Sequence, residues 1–181
     1  AFNDESMYIR KGLDLQRFLN NIALVSDSLP LVNIVIMCTY NVLSISSFRE
    51  LFIWVAQQKS KGIRITLDLS YLKDPEYLRA SIADRELKER MNEDLFYLKT
   101  LSEFTQYEIN KFERIVNWVN QTPEDEKILL YQSDFFSFIN EYDKRHQLHF
   151  LQTFPSYQNF YALCKKANAW TRINRGDPNG S

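Results

Sequence analysis

Two segments of the 181-residue chain have the apolar patterns of buried β-strands. Residues 31–37 are almost continuously apolar and β-branched, which is typical of a strand covered on both faces. Residues 63–69 alternate between apolar and polar positions, which puts every second side chain on one face of a strand. The sequence therefore predicts two short strands in the first half of the chain.

The segment between the two strands has the spacing of an amphipathic helix. Ser47 and Glu50 stand three residues apart, as in a helix-capping box, and Gly62 follows where the helix would end. A strand, a helix and a strand within about 30 residues form a βαβ unit, so the two strands are predicted to be parallel. The apolar positions of the helix recur at intervals of three and four residues: Phe48, Leu51, Phe52 and Val55.

Helical spacing continues through the rest of the chain. Thr105 and Glu108 form a second capping-box pair, and Thr122 followed by Pro123 is typical of another helix start. The sequence thus predicts an α/β fold with few parallel strands and six to seven helices, whose C-terminal part is all-helical. The stripes that indicate helices lie within residues 15–25, 48–55, 87–101, 109–119, 123–130, 135–142 and 157–164.

The predicted sheet is too small for the helices around it. Two parallel strands leave two edges without hydrogen-bond partners, and such a sheet is marginally stable by itself. Either other segments form further strands, or the missing strands belong to a partner chain or to a part of the gene outside this sequence. The first residue, Ala1, is not methionine, which also suggests a trimmed piece of a longer protein.

Composition and charge exclude several functions. The chain has 22 basic and 23 acidic residues, and this balance gives no support for nucleic-acid or membrane-surface binding. Its 4 glycines leave little room for a phosphate-binding loop, and its 2 cysteines cannot hold an iron–sulfur cluster unaided. No apolar run reaches the roughly 20 residues of a membrane span, and no signal peptide is evident. We therefore expect a cytoplasmic protein with no nucleic-acid and no membrane partner.

Candidate chemistry lies where the predicted strands end. In α/β folds, ligands bind beyond the carboxyl ends of parallel strands. Thr39 and Asn41 follow the first strand, and Asp68 and Tyr71 lie at the end of the second. Their polar groups can hydrogen-bond a ribose, an amino-acid group or a peptide. The structural alternative is that Thr39 and Asn41 shape a turn, and that Asp68 caps a helix or meets a buried arginine.

Seven segments together resemble the radical S-adenosylmethionine (radical SAM) proteins that carry a C-terminal twitch-type region. They follow the family's order and cover about residues 8–166, although none of them is highly specific alone. The segments are RKGLD (10–14), IMCTYNVLS (36–44), LDLSYLKDP (67–75), FTQYE (104–108), EYDKR (141–145), LQTFP (151–155) and FYALC (160–164).

The resemblance implies half of an enzyme. The family's C-x-x-x-C-x-x-C loop, which ligates a [4Fe–4S] cluster, and its Gly-Gly-Glu-type segment are both absent from this sequence. The chain would then be the C-terminal part of a partial (half) TIM-type barrel, completed by a missing N-terminal half-barrel or a partner chain. Residues 1–75 would form the βαβ half-barrel segment, 76–173 a helical region packing on it, and 174–181 a disordered tail.

The same resemblance assigns roles to the strand-end residues. Thr39 and Asn41 would contact the cofactor S-adenosylmethionine, and Asp68 and Tyr71 would contact a peptide or small-molecule substrate. Without ligands for the [4Fe–4S] cluster, the chain alone would not be catalytically competent. The competing interpretation is a non-enzymatic, mostly helical protein-interaction domain that docks on a larger complex.

Metal binding has little support in the sequence. Cys164 is a weak candidate for a ligand of an auxiliary cluster, but its position on an apolar helix stripe favours a buried structural cysteine. His146 and His149 could share a helix face. The neighbouring Lys144 and Arg145 favour a solvated, salt-bridged helix there instead of a metal site.

Overall fold

A computed structural model describes residues 2–122 and 126–174 as an α/β fold with one two-stranded sheet. The described residues form eight α-helices, where six to seven were predicted, and they form no strand after the second one. The predicted all-helical C-terminal part is therefore confirmed for these residues. The elements are α1 (Asn3–Ile9), α2 (Leu15–Ser28), β1 (Ile34–Tyr40), α3 (Phe48–Ser60), β2 (Ile65–Tyr71), α4 (Arg85–Thr100), α5 (Gln106–Gln121), α6 (Glu126–His146), α7 (Phe150–Thr153) and α8 (Gln158–Asn174). Short 3₁₀ helices lie at Val42–Ser47, Glu76–Leu78, Ala80–Ile82 and Pro155–Tyr157.

The two strands are parallel and adjacent, as the βαβ pattern predicts. β1 and β2 pair from Ile34 opposite Ile65 to Tyr40 opposite Tyr71. Both strands begin and end two or three residues later than predicted. At the start of β1 the reason is a turn after α2, in which the Val32 N–H donates to the carbonyl of Leu29 at 3.0 Å. As a result, Thr39 lies inside β1 and both Asp68 and Tyr71 lie inside β2, whereas Asn41 follows β1 directly.

The helix between the strands begins differently from the prediction. Ser47 makes no capping bond to α3, because its hydroxyl accepts a hydrogen bond from the Phe2 N–H at 2.8 Å. The chain is already helical at this point, since the 3₁₀ helix Val42–Ser47 runs directly into α3. A capping box does form earlier, between Asn41 and Ser44. The predicted box at Thr105 is confirmed.

The C-terminal helical region contains one long helix, α6. α6 is a single 21-residue helix where the sequence suggested two, and it packs along α8. It ends at His146, because the next residue, Gln147, has a φ of 54° that interrupts the helix, so His149 lies outside it. Within the described ranges, no group of three His, Cys, Asp or Glu side chains could hold a metal ion. The predicted helix start at Pro123 lies outside the described residues, as does the predicted tail beyond Asn174, which is itself the last residue of α8.

The hydrophobic core is rich in aromatic rings and contains residues of both the sheet and the C-terminal helices. Tyr40, at the end of β1, packs edge-on against Phe48 and lies 5.4 Å from the ring of Phe112 on α5. The buried apolar residues form one cluster that extends from α1 to α8. Across the described part of the chain, no helix is both long enough and apolar enough to cross a bilayer.

Candidate functional site

One face of the sheet is left uncovered by the described helices. In β2 the side chains at odd-numbered positions are buried, so those at even-numbered positions lie on the opposite face. The pairing register places the exposed side chains of β1 beside them. We call this surface the open face, and it consists of Val35, Met37, Thr39, Thr66, Asp68 and Ser70.

Polar groups collect at the carboxyl end of the open face. Thr39 lies opposite Ser70, and Asp68 lies one pair earlier, opposite Met37. The other end is more apolar, because Val35 opposes Thr66 there. The structure therefore brings Thr39 and Asp68 to the same surface, at the edge of the sheet where α/β proteins bind ligands.

Helix α5 holds Asp68 through one of its two carboxylate oxygens. Lys111 Nζ lies 2.9 Å from Asp68 Oδ1, and the Tyr107 hydroxyl donates to the same oxygen at 3.2 Å. The hydrogen bond from Lys111 is the main reason why the pKa of Asp68 is lowered, and Tyr107 adds to it. Among the described residues, no group bonds to Oδ2. Asp68 is thus an ionised acceptor with one oxygen available to a ligand.

Asn41 lies in a turn instead of on the open face. Its side-chain oxygen accepts a hydrogen bond from the Leu43 N–H at 2.9 Å, and its amide donates to the Thr39 carbonyl at 3.3 Å. It is the N-cap of the 3₁₀ helix after β1 and closes the capping box with Ser44. These contacts correspond to the turn-shaping role that was the structural alternative for Asn41.

Tyr71 lies on the opposite side of the sheet from Asp68. The two residues are three positions apart in β2, so their side chains point to different faces. The Tyr71 ring stacks on Trp118 of α5, with 4.8 Å between the centroids and 27° between the planes. Lys73 Nζ lies 5.7 Å from the same ring. The structure therefore separates the two predicted substrate residues.

A groove runs beside the outer edge of β1. Its volume is about 260 Å³, and α1 and α2 form its other wall. Arg10 is the one charged side chain among the described residues that line it. We call it the edge groove, and its apolar lining includes Ile9, Leu13, Leu15, Phe18, Ile36 and Met37.

Neither cysteine has the surroundings of a metal ligand. Cys38 is half-buried on the core-facing side of β1, and burial raises the pKa of its thiol. Cys164 is completely buried on α8, where burial raises the pKa of its thiol strongly. A thiolate is the form that binds metal, so both environments disfavour ligation. Cys164, the weak metal candidate, is placed as a core residue.

Sequence reasoning missed the residues of α5 that support the site. Glu108 was recognised as a helix cap, but its carboxylate also accepts a hydrogen bond from the Leu67 N–H of β2 at 2.9 Å. Tyr107 and Lys111 stand one turn apart on α5 and frame Asp68. The spacing of four residues is the sequence signal that Tyr107 and Lys111 act together, because residues four apart share a helix face.

The open face combines a fixed carboxylate with two hydroxyls, contributed by Thr39 and Ser70. Such a set binds and orients hydroxyl or N–H groups of a ligand. The described residues leave this surface exposed, with Val35 at 51% and Met37 at 78% exposure. No protein-family model, no curated protein and no solved structure matches this chain.

Proposed function

We propose that this chain is the cofactor- and substrate-facing C-terminal portion of a radical SAM-like enzyme. The observation that carries the proposal is the open face, where Thr39, Ser70 and Asp68 lie at the carboxyl ends of two parallel strands. In barrel and half-barrel enzymes this end of the strands holds the ligands. The ordered resemblance over about residues 8–166 supplies the identity of the family.

In this proposal the strand-end residues have different roles. Thr39 contacts S-adenosylmethionine with its hydroxyl, and Asp68 accepts a hydrogen bond from a peptide or small-molecule substrate. Asn41 and Tyr71 hold the strand ends in shape, through the cap on the 3₁₀ helix and the stack on Trp118. The open face is one wall of the site, and a missing half-barrel or partner chain supplies the other.

The [4Fe–4S] cluster of such an enzyme does not fit this chain. A cluster needs three or four thiolates close together, and the two cysteines lie in separate elements with raised thiol pKa values. The cluster therefore belongs to the missing half. When bound there, the cluster and S-adenosylmethionine would supply the one-electron chemistry. The residues of this chain bind and orient the reactants.

The test is the native gene. Its reading frame upstream of Ala1 should encode C-x-x-x-C-x-x-C, and the full-length protein, purified without oxygen and reduced, should cleave S-adenosylmethionine. Thr39→Val should weaken binding of S-adenosylmethionine by about tenfold, which corresponds to the loss of one hydrogen bond at about 1.4 kcal/mol. Thr66→Val, at the other end of the open face, is the matched control and should leave that binding unchanged. A gene without the cysteine motif would refute the proposal.

A non-enzymatic interaction domain is the second candidate. The observation in its favour is the same uncovered sheet together with a helix, α2, whose apolar side chains are largely exposed. The two candidates differ in one measurement. An interaction domain would form a stable complex with its partner while the full-length protein neither binds nor cleaves S-adenosylmethionine.

A further inference from the structure

We propose that the outer edge of β1 is the binding site for one extended strand, parallel to β1 and supplied by the missing half of the protein. The inference rests on the proposed function only for the origin of that strand. The site itself follows from the backbone of β1, from helix α2 and from the edge groove.

The backbone of β1 presents unpaired groups at regular intervals. The Ile34 N–H donates to the Arg64 carbonyl at 2.7 Å, and the Tyr40 carbonyl accepts from the Leu72 N–H at 2.9 Å, so even-numbered residues of β1 bond to β2. In a strand, successive residues direct their N–H and C=O groups to opposite sides. The groups of Val35, Met37 and Thr39 therefore point away from β2.

These outward groups have almost no partners within the chain. One bond is present, from the Asn41 amide to the Thr39 carbonyl, and no described group bonds to the backbone of Val35 or Met37 on that side. Donors and acceptors spaced two residues apart match the backbone of another strand. The occupant is therefore an extended chain and not a helix.

The other edge of the sheet is already closed. The outward N–H of Leu67 in β2 donates to the buried carboxylate of Glu108, and α5 runs along that edge. Helix α5 and Glu108 thus cover the outer edge of β2, whereas no described element covers the outer edge of β1. This asymmetry assigns the additional strand to β1.

Helix α2 gives the direction of the strand. Leu15 and Phe18, at the start of α2, line the edge groove together with Met37 and Thr39 near the carboxyl end of β1. The helix then ends at Ser28, shortly before β1 begins. A helix that runs back from the carboxyl end of a sheet to the start of the next strand is the crossover of a βαβ unit. The strand that precedes such a helix is parallel to β1.

The surroundings of the edge specify an apolar strand. The edge groove is lined by apolar side chains with Arg10 as its charged member, and Met37 beside it is 78% exposed. One face of an added strand would fill the edge groove, and its other face would extend the open face. A parallel strand covered in this way is rich in Val, Ile and Leu.

Amide hydrogen exchange tests the site directly. In the chain alone, at a low micromolar concentration where it is monomeric, we expect the amides of Val35, Met37 and Thr39 to exchange rapidly while those of Ile36 and Cys38 are protected. In the full-length product of the native gene, the three outward amides should exchange more than about tenfold more slowly. Their protection in the chain alone would overturn the inference, because the edge would then be paired internally.

Proline at position 37 separates backbone pairing from side-chain contact. Met37→Pro removes an N–H that points away from β2, so the chain alone should keep its circular dichroism spectrum and its unfolding midpoint. In the full-length protein, the same variant should restore rapid exchange at Val35 and Thr39. Met37→Ala keeps the N–H and is the matched control, which should preserve their protection.

The outcomes distinguish the inference from the proposed function. A full-length protein that cleaves S-adenosylmethionine but leaves the three amides unprotected would overturn the strand site alone. A full-length protein that protects them but lacks the cysteine motif would overturn the radical SAM proposal and support the strand site. If Met37→Pro unfolds the chain, the exchange rates of the unmodified chain and of the full-length protein still test the strand site on β1.

Discussion

Glu108 connects three parts of the molecule through one buried carboxylate. It accepts from the backbone N–H and the hydroxyl of Thr105 at the start of α5, from the Leu67 N–H of β2, and from Lys59 Nζ at 2.6 Å. Burial by itself raises the pKa of Glu108, but the hydrogen bonds from Leu67, Lys59 and Thr105 outweigh it and lower the pKa. The ionised carboxylate is therefore part of the folded state.

Glu108→Gln should destabilise the chain by about 3 kcal/mol at pH 7, because it leaves the largely buried Lys59 ammonium without its carboxylate partner. The folded pKa of Glu108 lies below its ordinary value of 4.5. Its contribution is therefore complete above about pH 4.5 and is lost as the pH falls through the folded pKa. Urea unfolding at pH 7 and pH 3 should show the difference between wild type and variant shrinking in acid.

The control for this experiment is Glu113→Gln on the same helix. Glu113 pairs with Lys99, and the two side chains are 35% and 44% exposed, so the change should stay within about 0.5 kcal/mol. Equal losses for the two variants would contradict the central role of Glu108.

Asp68 offers a second test at a single residue. Lys111→Met should raise the pKa of Asp68 toward its ordinary value, and Tyr107→Phe should raise it less, because the bond from Lys111 is the larger of the two effects. Carboxyl ¹³C NMR titration of the chain measures both shifts. Lys99→Met, which removes a lysine of α4 that pairs with Glu113, should leave the Asp68 titration unchanged.

At the scale of elements, α2 is the helix with the weakest attachment to the core. Ile22 is the one buried residue of its 14, and Leu24 is 64% exposed. Leu15 and Leu19 are partly buried against the core, whereas Phe18 and Val25 also lie at the surface. The helix therefore has an amphipathic sequence without a full partner for its apolar face.

Alanine substitutions should separate the two sides of α2. Ile22→Ala should lower the free energy of unfolding by about 2 kcal/mol, whereas Leu24→Ala should change it by less than about 0.5 kcal/mol. Chemical denaturation of the chain alone measures both. A large effect of Leu24→Ala would mean that the exposed side of α2 is covered within the chain.

The predictable part of the structure was the part encoded by short-range patterns. The alternation in β2 and the box at Thr105 and Glu108 act over a few residues, so sequence alone located them. The contact between Asp68 and Lys111 depends on how α5 packs along the sheet, and no local pattern encodes that distance. Asn41 was expected near a ligand. It is instead the N-cap of the 3₁₀ helix Val42–Ser47, which begins directly after β1.

The molecule exposes several apolar side chains in and before β1. Leu31 is 83% exposed, and Val32, Val35 and Met37 are also at the surface. Isolated exposed apolar residues are common, but several of them beside a free strand edge promote association. The parallel sheet expected from the sequence is present, and its free edge was expected from the small number of strands.

The chain alone should therefore associate as its concentration rises. Sedimentation velocity between micromolar and millimolar concentrations should show an increasing average mass. Met37→Lys should reduce the increase, because a charge on an edge strand opposes pairing. A wild-type chain that stays monomeric over this range would contradict the free edge.

The closed edge of β2 limits how far such association can go. In each copy the outer edge of β1 is free, whereas α5 and Glu108 cover the outer edge of β2. Two copies joined through β1 would expose only their β2 edges, which α5 covers, so further strands could not add to the sheet. The chain therefore forms one end of a sheet. Further strands can pair with β1, and β2 remains the last strand.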